Sequence, residues 1–120
     1  MRKIGVLIMM WAVLACGGAS ATWEEIDWAM WKNDPDACGQ QRAKFVAALD
    51  RQKEKLKSMS EMEVVKLMGK PDENELYKRN QKFFYYYLSP GPGCPAPDST
   101  AQRLVIRFNA MGLAKEVSIE

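Results

Sequence analysis

Two cysteines set the strongest constraint on how this chain can close. Cys38 and Cys94 lie far apart in a sequence of 120 residues that holds one further cysteine, Cys16, and no histidine. Joining them would close a long loop, for which the chain-entropy estimate is about 4 kcal/mol. A small domain buries a limited fraction of its surface, and net stabilities run to about 5–15 kcal/mol. One covalent tie is therefore a large share of what can hold such a domain shut. Two thiols without histidine fall short of a structural zinc shell, and a redox-active pair normally sits as Cys-x-x-Cys. The pair is read as a structural disulfide, which belongs in an oxidising compartment.

The start of the chain supplies the route to one. Arg2 and Lys3 precede an apolar run, Ile4 to Leu14, and Ala15 is the small residue before a cut. That is the layout of a secretory leader. The run would rise only about 16 Å as a helix, roughly half the ~30 Å hydrocarbon core, so it is too short to stay as a spanning anchor. Val13-Leu14-Ala15-Cys16 resembles the lipobox of bacterial lipoproteins, with Val13 where Leu is commoner. The resemblance implies a signal peptide over 1–15, a diacylglyceryl group on Cys16 and a mature chain that begins there. One acyl chain binds a membrane only marginally, whereas two or three anchor it stably. The competing reading is an ordinary secreted protein cut after Ala19 or Ala21, with Cys16 discarded. Gly17, where an Asp would signal inner-membrane retention under the enterobacterial rule, fits the outer membrane.

Charge adds an exclusion. Without Arg2 and Lys3 the formal net charge of +2 falls to zero, and no basic face clusters along the chain as nucleic-acid binding requires. Residues 16–34 read as a flexible tether that carries Trp23, Trp28 and Trp31, and residues 35–120 as a single domain. From Asp36 to about Lys57, Phe45, Val46, Leu49 and Leu56 recur at helical spacing. The stripe is narrow, so this helix is expected to lie mostly wet, with Arg42 and Arg51 facing solvent. Ser60-Glu61-Met62-Glu63 is a capping box in which each end residue can satisfy the other's backbone N–H. The helix it starts runs through Val64, Val65, Leu67 and Met68 and stops at Gly69 by a left-handed turn before Pro71. Beyond Pro71 the period becomes two. Phe83 to Leu88 is rich in the aromatic types that suit a pleated sheet. Leu104-Val105-Ile106-Arg107-Phe108 and Ala114 to Ile119 make two more strands, and the proline-rich stretch from Ser89 to Pro97 must be loop.

The expected fold class is α+β: two helices packed on one face of a three- or four-stranded antiparallel sheet. At this point Met59 to Asp72 resembles the hallmark of the SmpA/OmlA family, the BamE-like small outer-membrane lipoproteins that take part in barrel-protein assembly. The family pattern is a capped Ser or Thr, an acidic turn, an apolar pair and Leu-Leu-Gly-x-Pro; here Met68 stands for the second Leu. The aromatic strand and the stretch from Ile106 to Leu113 are also similar. The long first helix and the Cys38/Cys94 pair depart from that pattern and suit a separate branch of envelope lipoproteins. Inhibitors of β-lactamase share the helix–helix–sheet layout, so the resemblance does not fix function.

Catalysis is poorly provided for. Histidine, the commonest general base, is absent, and Glu61/Glu63 are explained by capping and the helix dipole. Asp72, Glu73 and Glu75 read as a solvated loop without the ordered oxygen ligands of a divalent-ion site. No catalytic residue, metal or cofactor is expected. Binding is the better class, because the strand Phe83–Leu88 carries large rings on both faces and the helices can cover only one. Cover of the other by the proline-rich loop and the Trp segment competes with an exposed face that receives a partner. Trp28, Trp31, Tyr85 and Tyr87 are the candidate interaction surface. Trp31 either packs on the domain or, with Trp28, meets the membrane interface. The expected function is that of a lipid-anchored, non-enzymatic envelope protein at the outer membrane facing the periplasm, accessory to outer-membrane protein assembly or integrity. It would contact the membrane through its lipid and an envelope protein as partner. The alternative is an inhibitor or ligand-binding module that uses the aromatic sheet face.

Overall fold

Period-two hydrophobicity builds the sheet. In a computed structural model that describes residues 23–120, β1 (Glu73–Leu76), β2 (Lys82–Tyr87), β3 (Arg103–Phe108) and β4 (Ala114–Ile119) pair in the order β1-β2-β3-β4, all antiparallel. Lys82 pairs with Phe108, so the β1–β2 and β3–β4 turns leave the sheet side by side. The proline-rich connection from β2 to β3 lies at the other end. Side chains alternate across a strand, and Phe84, Tyr86 and Leu88 therefore share one face with Leu104, Ile106, Phe108 and Val117. This is the core face.

Three helices cover it: α1 (Trp28–Lys32), α2 (Val46–Gln52) and α3 (Glu61–Met68). They bring Trp31, Leu49, Val64 and Met68 onto it, and the turn after α2 adds Leu56, each fully buried. The class is α+β as expected, with one helix more. The capping box of α3 is formed, with Glu63 N–H donating to Ser60 Oγ at 3.1 Å and Ser60 N–H to Glu63 Oε1 at 2.8 Å. Gly69 ends that helix at φ 85°, ψ 179°. The positive φ was expected, but ψ is extended, a combination essentially confined to glycine. Its carbonyl accepts a 2.7 Å bond from the Tyr86 hydroxyl.

Two sequence expectations are corrected. The continuous helix from Asp36 to Lys57 is instead a series: 3-10 turns at Pro35–Ala37 and Arg42–Phe45, then α2, then a 3-10 turn at Lys53–Leu56. The cause is Asp34, whose buried carboxylate accepts from the backbone N–H groups of Gly39, Gln41 and Arg42. Those bonds compete with a helical ladder, and Asp36, Ala37 and Gln40 take positive φ around them. A side chain at Gly39 would meet Asp34 Oδ1 at 2.8 Å, so glycine is required there. The second correction concerns the flexible tether. Its described part, from Trp23, is docked: Asp27 caps α1 by accepting from Ala29 and Met30 N–H, and Trp31 is fully buried. The proposed signal peptide, Cys16 and the rest of the tether lie outside the described residues.

Candidate functional site

The face of the sheet turned away from the helices carries Phe83, Tyr85 and Tyr87 from β2, and the register puts Glu73 and Glu75 on one side of them. Arg103, Val105 and Arg107 of β3 lie on the other side. These groups satisfy one another. The Tyr87 hydroxyl donates to Glu73 Oε2 at 2.7 Å, and the Tyr85 hydroxyl donates to Glu75. Phe83 and Tyr85 stack with ring centroids 6.2 Å apart, Tyr77 meets Phe83 edge-on, and the Arg103 guanidinium sits 4.1 Å from the Tyr85 centroid. Gly91 of the proline-rich loop lies on the Tyr87 ring so closely that a Cβ would come within 2.8 Å of it. Tyr85 and Tyr87 retain only 7 % and 6 % exposure.

The expected aromatic docking face is therefore sealed by its own neighbours. The Trp segment has no part in sealing it, because Trp31 packs beside Tyr86 on the opposite face, with centroids 6.1 Å apart. Trp28 is half-buried between Trp23 and Trp31. Of the four candidate surface residues, two lie on each side of the sheet and do not meet. Burial pushes the Tyr85 hydroxyl up to about 12, with its hydrogen bond to Glu75 adding to the shift. Tyr86 and Tyr87 are raised as well, again chiefly by burial. All three stay protonated at neutral pH and serve as donors, not as bases.

At the disulfide end, Cys38 and Cys94 are joined with Cα atoms 5.3 Å apart. The bond ties the Asp34 loop to the proline-rich loop, and a 2.9 Å hydrogen bond from Gly91 N–H to the Asp36 carbonyl runs alongside it. Beneath lies an ion pair that sequence reasoning missed. Arg42, expected in solvent, has its side chain 2 % exposed and pairs at 2.6 Å with Asp72, itself 4 % exposed. Arg42 also donates to the Trp31 and Tyr87 carbonyls and lies over the Trp31 ring. Asp72, expected in a solvated loop, further accepts from the backbone N–H groups of Asp36 and Tyr87. No local signal marks either residue, since their partners come from distant segments. Arg51 does face solvent, in an exposed pair with Glu25.

Two cavities border this end. One of ≈ 580 Å³ lies between the proline-rich loop and β3, lined by Tyr87, Pro92, Pro97, Asp98, Arg103 and Glu120 among others. It opens broadly to solvent. Its Asp98 carboxyl is held below the usual carboxylate range by the Thr100 backbone N–H and hydroxyl. The smaller, ≈ 290 Å³, is lined by Lys32, Asp36, Arg42 and Lys70 among others. There the Asp36 carboxyl is raised, first by burial and then by the charge on Asp72. Among the described residues no cluster of His, Cys, Asp or Glu could hold a metal ion.

A small domain with helices on one face of a four-stranded antiparallel meander, the other face closed by its own side chains, is the class this geometry defines. No family model matches the chain, and no curated protein matches it. Among solved structures, an X-ray structure described as an osmotically inducible lipoprotein, OsmE, is similar over 79 % of this chain and 85 % of that one. The two are 16 % identical, with a TM-score of 0.39.

Proposed function

We propose that this chain is a lipid-anchored, non-enzymatic envelope protein that acts through protein contacts at the outer membrane, facing the periplasm, as an accessory to outer-membrane protein assembly or integrity. The observation that carries the reading is how the reactive-looking side chains are used. Arg42 and Asp72 are buried against each other, Tyr85 and Tyr87 are spent on Glu75 and Glu73, and the cysteines Cys38 and Cys94 are joined. Among the side chains that do face solvent are large apolar ones, Leu76, Met62 and Met111, which suit contact better than turnover. The leader and Val13-Leu14-Ala15-Cys16 support the anchor and the compartment. Cross-linking in intact cells should recover an envelope protein reproducibly. Repeated recovery of none, with a deletion strain whose outer-membrane barrels are normal, overturns the reading.

One observation favours a second reading, a ligand-binding or inhibitory module: the ≈ 580 Å³ cavity beside Arg103. Calorimetric binding of a soluble enzyme or a small organic ligand, abolished by Arg103→Ala, would select it.

A further inference from the structure

The four most exposed large apolar side chains among the described residues are gathered at one end of the molecule. Leu76 (72 % exposed) and Tyr77 (54 %) flank the β1–β2 turn, Met111 (82 %) tips the β3–β4 turn, and Met62 (71 %) lies in the first turn of α3. The two turns are adjacent because Lys82 pairs with Phe108, and Arg107 donates to Gln81 across them. The start of α3 is fastened to the second turn: Glu61 N–H donates to the Gly112 carbonyl at 3.2 Å, and Ser60 bridges to Leu113. Lys82 and Glu61 pair at 2.9 Å. Single exposed apolar residues are ordinary; a gathered set marks a contact surface.

The cations at this end differ in their surroundings. Lys82 is paired with Glu61 and Arg107 with Glu116, while Glu63 and Glu75 accept from the neutral Ser60 N–H and Tyr85 hydroxyl. Lys78 and Arg79, on the β1–β2 turn, are exposed and have no ion-pair partner among the described residues. Arg79 occupies φ 60°, a conformation that suits glycine or asparagine better than arginine.

The point where the described chain begins indicates what lies opposite. Trp23 packs under the Lys55 ammonium, and Glu24 N–H donates to Gln52. Lys55 belongs to the 3-10 turn that leads straight to Ser58, whose N–H donates to the carbonyl of Ala114, just past the β3–β4 turn. The chain thus enters on the half of the domain that carries the apolar tips. From Cys16 to Trp23 the backbone can span at most about 25 Å.

We propose that the two turns and the start of α3 form a membrane-docking surface, with Leu76, Tyr77, Met62 and Met111 at the interfacial layer and Lys78 and Arg79 at lipid phosphates. The proposal rests on the lipid anchor at Cys16. A tether that short keeps the domain at high effective concentration next to the bilayer, so weak apolar and electrostatic terms suffice to orient it. Separate tips with cations beside them suit a headgroup layer, where amphipathic side chains are at home.

The test places a benzophenone amino acid by codon suppression at Met111, or at Ser99 on the opposite end, in the full chain in its native membranes. Photolysis should attach phospholipid at position 111 and about tenfold less at 99. Arg79→Gly, which puts the residue at ease in its turn, should leave the fold intact and lower lipid labelling at 111 about fivefold. Protein adducts at 111, no adduct there, or equal lipid labelling at both positions overturns the docking surface. The mass of the amino-terminal peptide from the same sample separately reports whether the anchor itself exists.

Discussion

Replacing Arg42 by methionine removes a cation that sits among groups with no other partner of equal strength. Its side chain is 2 % exposed, and it holds Asp72 at 2.6 Å, the Trp31 carbonyl at 3.0 Å and the Tyr87 carbonyl at 3.2 Å. Methionine fills much of the volume but leaves the Asp72 carboxylate buried without a counter-charge. Breaking a buried pair from one side costs about 3–5 kcal/mol, against a total of about 5–15 kcal/mol for a domain. Urea unfolding followed by circular dichroism, with the disulfide intact, reads this directly. With a slope of about 1–3 kcal/mol/M the midpoint should fall by at least about 1 M. Arg51→Met is the control, because the Arg51–Glu25 pair is 53 % and 75 % exposed and such pairs contribute at most about 1 kcal/mol. Adding Asp72→Asn to Arg42→Met should recover part of the loss, with a coupling of about 1–3 kcal/mol. If Arg42→Met falls within 1 kcal/mol of the control at an unchanged slope, the buried pair is not the tie between the Asp34 loop and β2 that the geometry implies.

Three further outcomes are expected. Reducing the Cys38–Cys94 bond, whose partners are 56 positions apart, should cost about 4 kcal/mol; a denaturation midpoint that does not respond to reductant contradicts this. Ser60→Ala removes the acceptor for Glu63 N–H and should cost about 1 kcal/mol in the same assay, while a neutral result would mean the capping box is dispensable. Alkaline stability follows from Tyr85, whose hydroxyl is pushed up to about 12. The folded protein keeps a proton that the unfolded chain releases near 10, so stability is intact below about pH 10 and declines as the pH rises toward 12. Tyr85→Phe should lessen that decline, to which Tyr86 and Tyr87 also contribute, and an unchanged pH profile in the variant would remove Tyr85 as a cause.

What could be read along the chain was what neighbours in sequence decide. The capping box, the alternation of Leu104, Ile106 and Phe108, and the proline-rich loop each depend on residues within a few positions of one another. The first helix is broken at its start by Asp34. Asn33-Asp34-Pro35-Asp36 suggests a cap, but only the folded loop shows that Asp34 bonds the N–H groups of Gly39, Gln41 and Arg42. Arg42 carries no mark of burial, since its partners Asp72 and the Tyr87 carbonyl come from the sheet side of the molecule. The outer aromatic face failed in the same way. Tyr85 and Tyr87 look available until the β1 register sets Glu75 and Glu73 beside them and the proline-rich loop closes over Tyr87. The exposed tips, Met111 above all, carry no sequence signal, because isolated apolar residues in turns become a surface only once the two hairpins lie together.

The proposed attachment of this domain to a membrane is tested most directly at its amino terminus. Mass spectrometry of protein extracted from its native host should find a mature chain beginning at Cys16, with the added mass of two or three acyl chains. An unmodified terminus further along, after Ala19 or Ala21, or an intact Met1, would contradict it.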